Sequence, residues 1–104
     1  MKLEAGMYVR TINGKIWIIT SQKAISGHRK DIINASYNIM DLIEVGDYVN
    51  GKKVIDTFTD YIFDYSEEFK VIRFSETDIL HNVKHIKSIV THEQMEQIAY
   101  KVEE

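Results

Sequence analysis

Two stretches of this chain spell nearly the same phrase: "GMYVRTINGKI" (Gly6 to Ile16) and "GDYVNGKKV" (Gly46 to Val54). Each runs glycine, one variable residue, Tyr-Val, then Asn-Gly-Lys with a β-branched residue close behind. Asn-Gly suits a two-residue type I′ turn, because both central positions need positive φ. The phrase is therefore hairpin chemistry used twice: a bend glycine, a Tyr-Val strand and a tight turn. The copies differ by three residues in spacing and nothing else repeats, so a duplicated domain does not follow. The first copy predicts strands near 7–12 and 15–20. The second predicts a short strand at Tyr48-Val49 and a return strand from Lys53 to Phe58.

The remaining segments fit the same pattern. "SQKAISGHRK" (Ser21 to Lys30) is polar, contains Gly27, and reads as a loop or irregular hairpin tip. "DIINAS" is a strand candidate, and Asn38 is placed to cap one helical turn in "YNIMDLI". "DYIFDY" and "FKVIRF" flank the polar "SEE" (Ser66 to Glu68) and predict a third hairpin. "SETDILHN" reads as a loop and "VKHIKSIV" (Val83 to Val90) as a last strand. Thr91 with Gln94 three residues on is a capping-box pattern, and Met95, Ile98, Ala99 and Val102 fall on one helical stripe. The predicted core is Val9, Ile16, Ile18, Val49, Val54, Val71, Ile86 and Val90, with Met95 and Ile98 closing one end.

A chain of 104 residues without proline or an evident linker is read as one domain, residues 1–104. Short hairpins and a terminal helix in such a length imply a mainly β fold. The expected form is a small bent antiparallel sheet or an SH3-like barrel with a short C-terminal helix.

Composition narrows function by exclusion. There is no cysteine, hence no disulfide framework, thiolate metal site or cysteine nucleophile. The net charge of −3 lacks the basic excess expected of a duplex nucleic-acid binder. No run approaches the roughly 20 apolar residues needed to cross a bilayer, and the N-terminus lacks a signal-peptide core. A cytoplasmic location is expected. The five glycines are isolated, so no Gly-rich phosphate loop exists, and no serine sits in a nucleophile-elbow context. His81 and His85 are read as lying about 13 Å apart along extended chain, too far to share an ion. No metal and no cofactor is expected.

Three phrases together resemble small proteins of phages and prophages of clostridia and related low-GC Gram-positive bacteria. They are the opening "MKLEAGMYVRT" with "NGKI", the centre "DIINASYNIMDLIEVGDYVNGKKV" and the end "HIKSIVTHEQMEQIAYKV". The resemblance spans nearly the whole chain in the same order. It is weakest over Ile18 to Lys30 and Asp56 to Val83, and His92 and Met95 replace an expected lysine and phenylalanine. It implies a phage-derived protein and carries over no catalytic residue. The divergent middle is where a partner site is expected.

That middle holds the carboxylates Asp56, Asp60, Asp64, Glu67 and Glu68, interleaved with Tyr61 and Tyr65. An acidic, tyrosine-bearing hairpin suits a protein–protein contact, since tyrosine is enriched at interfaces. The expected function is non-catalytic binding of a host protein, inhibiting a defence or regulatory protein. The alternative is an oligomeric sponge for a nucleotide-type small molecule. Its anion-binding loop would be His28, Arg29 and Lys30, with Arg10 and Arg73 as further basic groups.

Overall fold

The computed structural model describes residues 2–27, 29–62 and 67–98. They fall into two compact units: one made of the chain up to Leu42 and again from Thr91, the other of Ile43–Val90. The second unit is thus an insertion, in sequence, within the first. Among the described residues the strands form three antiparallel sheets of three strands each, so the fold is mainly β as expected.

In the first unit, β1 (Tyr8–Thr11) lies between β2 (Ile16–Ile18) and β3 (Ile32–Ser36). The β1–β2 turn is not the two-residue type I′ turn predicted from Asn13-Gly14. Gly14 has φ +85, but Asn13 does not share the positive φ. The Gly14 N–H donates to the Thr11 carbonyl (3.0 Å) and the Thr11 N–H to the Lys15 carbonyl (2.9 Å). The loop is therefore Ile12-Asn13-Gly14, a three-residue connection closed by a left-handed glycine. Thr11 holds it from inside: its hydroxyl donates to Asn13 Oδ1 (2.6 Å) and accepts from the Lys15 N–H (3.1 Å).

Pairing also sets which face is buried. Val9 stands opposite Trp17 and Ala35, and directly opposed residues share a face. Leu3, Val9, Ile19, Ile25 and Ile32 make the core, with Met7, Trp17 and Ala35 packed on it. The predicted core members Ile16 and Ile18 belong to the other face; Ile16 is half-buried and Ile18 exposed. Every residue from Ile16 to Ile19 is apolar, so only the register decides the phase. The stretch expected to be a loop contains α1 (Gln22–Ser26) and a 3-10 turn at Arg29–Asp31. A five-residue helix is too short to stand alone; its Ile25 is 2% exposed in the core cluster, which anchors it. As expected, Asn38 caps a short turn: the Met40 N–H donates to its Oδ1 (3.1 Å) at the 3-10 turn Ile39–Leu42.

The unit is closed by α2 (His92–Ile98). The predicted capping box is present. The Gln94 N–H donates to Thr91 Oγ1 (3.3 Å), and the Thr91 N–H to Gln94 Oε1 (3.1 Å). Thr91 is buried, and its hydroxyl donates to the Gly14 carbonyl (2.7 Å). Met95 is half-buried, but Ile98 is 72% exposed, against expectation. Glu93 and Gln97, one turn apart, face β1 and the hairpin loop through Arg10 and the Asn13 carbonyl. Ile98 lies a further 100° round the helix, off that face. Ala99 and Val102 of the stripe lie outside the described residues.

In the second unit, β4 (Tyr48–Val49) pairs with β5 (Lys52–Lys53) and β9 (Ile89–Val90). Here the type I′ turn is present: Asn50 has φ 53 and Gly51 φ +80. The predicted strand Val83 to Val90 shortens to its last two residues, preceded by a 3-10 turn at Val83–His85. Side chains impose this shape. Asn82 Oδ1 accepts from the Lys84 N–H (3.0 Å). Asn50 donates to the His85 carbonyl (2.7 Å) and accepts from the N–H groups of Lys87 (2.7 Å) and Ser88 (3.2 Å).

The third sheet is β6 (Asp56–Ile62), β7 (Glu67–Arg73) and β8 (Ile79–Leu80), in that order. The predicted hairpin is present as β6–β7, but Glu67 and Glu68, read as part of its polar separator, are paired in β7; residues 63–66 lie outside the described residues. The segment predicted as a loop supplies β8, with Ile72 opposite Leu80. The predicted return strand Lys53 to Phe58 is broken at Val54-Ile55. Val54 is fully buried and its N–H donates to the Asp47 carbonyl (2.8 Å), so the chain passes from one sheet to the next. That handover leaves the sheets open; none closes into an SH3-like barrel among the described residues. Val49, Val54 and Val71 are buried as predicted, together with Ile43, Ile72 and Leu80, while Ile86 and Val90 are half-buried. No helix among the described residues is long and apolar enough to cross a membrane.

Candidate functional site

The β6–β7 hairpin carries most of the residues singled out for partner binding. Its seven-residue register puts Asp56 opposite Arg73, Asp60 opposite Phe69, Tyr61 opposite Glu68 and Ile62 opposite Glu67. Opposed residues share a face and successive ones alternate. Asp56, Asp60 and Glu67 therefore lie on one face, with Phe58, Phe69 and Arg73. Tyr61 and Glu68 lie on the other, with Thr59 and Lys70. The set is one hairpin but two surfaces. Asp64 and Tyr65 lie outside the described residues.

The two halves of the hairpin differ. Near its base, Val71 and Ile72 are buried, and Thr57, Phe58 and Arg73 are half-buried. The Arg73 guanidinium sits 5.1 Å from the centre of the Phe58 ring, a cation–π contact. Towards the tip, Thr59, Asp60, Tyr61, Glu67 and Glu68 are exposed on both faces, with Phe69 and Lys70 half-buried behind them. Lys70 reaches back to donate to the Ile43 carbonyl (2.8 Å). The distal half thus presents Asp60, Glu67, Glu68 and the half-covered ring of Tyr61, which is 46% exposed.

The proposed basic groups are placed differently. Arg29 and Lys30 are exposed on the 3-10 turn, and His28 lies outside the described residues. Arg10 is fully buried, donating through one Nη to the Leu42 carbonyl (2.9 Å) and through the other to Glu93 Oε1 (2.5 Å). Its role is to hold the first unit together. Of the histidines, His81 and His85 are exposed, His81 with its ring edge-on to Phe69 (5.6 Å), and His92 Nε2 stands 3.1 Å from Glu93 Oε1.

Two features were not foreseen. Ile12, Asn13, Glu93, Glu96 and Gln97 line a shallow groove of about 420 Å³ where α2 meets the first hairpin loop. Its lining offers carboxylates and amides and no nucleophile. Tyr37 donates its hydroxyl to Glu4 Oε2, and that bond, with the nearby carboxylate charge, raises the phenol above its ordinary value. Both depend on residues more than 30 apart in sequence, which no local pattern links. Compared with protein-family models, with curated proteins and with solved structures, the chain returns no match.

Proposed function

We propose that this is a phage-derived, non-catalytic binding protein, which engages a host protein through the distal half of the β6–β7 hairpin. Inhibition of a defence or regulatory protein in the host cytoplasm is the use such binding would have. One observation carries the reading: the outer half of a two-stranded arm is exposed on both faces and bears carboxylates on each. A two-stranded ribbon that buries little gains little stability from its outer half. Binding gives that half a purpose, and Asp60, Glu67 and Glu68 suit it to a basic surface. The phage-type resemblance of the flanking phrases supports the host context.

The test begins with a partner captured from the host bacterium and purified. Replacing Asp60, Glu67 and Glu68 together by lysine should slow association by about tenfold or more at low salt, with a smaller change in dissociation. The difference should shrink as salt rises past about 0.1 M. An unchanged association rate would rule the acidic arm out.

A further inference from the structure

The manner of engagement is written in the backbone of β6. This strand bonds to β7 along one side, and among the described residues no strand pairs with its other side. The Tyr61 N–H donates to the side chain of the preceding residue, Asp60 Oδ1, at 2.8 Å. It is therefore turned away from β7. Backbone direction alternates along a strand, so the N–H and C=O groups of Thr59 and Thr57 face the same open side. The other long edge strand, β3, uses the same device: the Ala35 N–H donates to Asn34 Oδ1 (2.9 Å). On β6 the aspartate covers one outward donor of three. The strand has no proline or lysine, the residues that commonly protect such an edge.

We infer that the open edge of β6 receives an extended strand of the partner protein, added antiparallel or parallel beside Thr57 to Tyr61. This rests on the reading of the hairpin as a binding arm and specifies its chemistry. Main-chain bonds to Thr57 and Thr59 supply the pairing, and side chains of the added strand supply selectivity. Asp56 and Asp60 share a face at a spacing of about 13 Å. The fitting strand carries lysine or arginine at positions matching both, with small or β-branched residues between. A second copy of this chain fits poorly: with Phe58 opposite Phe58, Asp56 of each strand meets Asp60 of the other.

The test uses the full chain labelled with ¹⁵N and a short blocked threonine–valine peptide whose two lysines match Asp56 and Asp60. An analogue N-methylated at alternate residues keeps the charge and loses the donors. The parent peptide should shift the Thr57 and Thr59 amides saturably and slow their hydrogen exchange. The analogue should bind about tenfold more weakly or worse, the worth of one or more hydrogen bonds. Thr59→Pro should abolish the response while leaving the thermal melt nearly unchanged, since that N–H does not pair with β7. Equal binding of peptide and analogue, with both weakened by lysine at Asp60, Glu67 and Glu68, would leave the acidic arm standing and overturn strand addition. Binding unaffected by those lysines would remove the arm and the inference with it. No saturable shift up to about 1 mM peptide would overturn the inference. So would a concentration-dependent dimer that Thr59→Pro converts to monomer, because the edge would then belong to a second copy.

Discussion

Gly14 and Gly51 look interchangeable as letters, each following asparagine and preceding lysine. Their surroundings separate them. Both have positive φ, which costs an L-residue roughly 1–2 kcal/mol. A Cβ on Gly51 would meet nothing within 4 Å, whereas one on Gly14 would fall 2.2 Å from Thr91 Oγ1 and 2.7 Å from Glu93 Cβ. Gly51→Ala should therefore cost about 1–2 kcal/mol, the backbone penalty alone. Gly14→Ala should cost about 3 kcal/mol or more, because helix α2 must move off the turn. Urea unfolding of the two variants measures the difference, and equal losses would mean that α2 does not press on Gly14. The asparagines divide in the same way. Asn50 supplies a positive φ and a three-bond clasp on the His85–Ser88 segment, while Asn13 mainly accepts, from Thr11 and Gln97.

Among the elements, α2 departs most from its apparent design. The stripe Met95 and Ile98 suggests docking by apolar burial, but the helix is held by its first turn and by Gln97. Thr91→Val keeps the side-chain shape and removes the hydroxyl, losing the cap on Gln94 and the bond to the Gly14 carbonyl. A loss of about 2 kcal/mol is expected. Ile98→Ala should change stability by no more than about 0.5 kcal/mol, as for other exposed positions. The reverse ranking in denaturant unfolding would show that the helix docks by its stripe. Elements whose cause is local were legible in the sequence: the Asn38 and Thr91 caps, the Asn50-Gly51 turn, and the pairing that makes the β6–β7 hairpin, though not the place where its strands end. Elements decided at a distance were not. The phase of Ile16 to Ile19 depends on which of them faces Val9. The strand at Ile79–Leu80 exists because β7 lies beside it, and α1 because Ile25 has a core to enter. The candidate site followed the same division. Its residues were visible as a cluster of carboxylates and tyrosines, but their distribution over two faces required the register.

For the molecule as a whole, the insertion of Ile43–Val90 into the first unit governs how the chain must assemble. Arg10 bonds to Leu42, the residue at which the chain leaves that unit, and to Glu93, just after it returns. One guanidinium therefore holds departure and return together. Glu93 is 83 residues from Arg10, and Thr91 is 77 from Gly14. Contacts that close such long loops form late. The inserted unit is one continuous stretch, and the longest pairing described in it, Tyr48 with Val90, closes a shorter loop. In pulse-labelled refolding, amides of Val71 and Ile72 should gain protection before that of Met95 in α2, which docks through those long-range contacts; the opposite order would contradict this.

A growing polypeptide experiences the same constraint as a matter of birth order. Arg10 is made early, yet its bond to Glu93 waits until the ninety-third residue is joined. The first unit, begun before the inserted one, is finished after it. A chain released before residue 91 lacks the α2 contacts to Arg10 and Gly14, and its first hairpin loop is left more open to proteolysis.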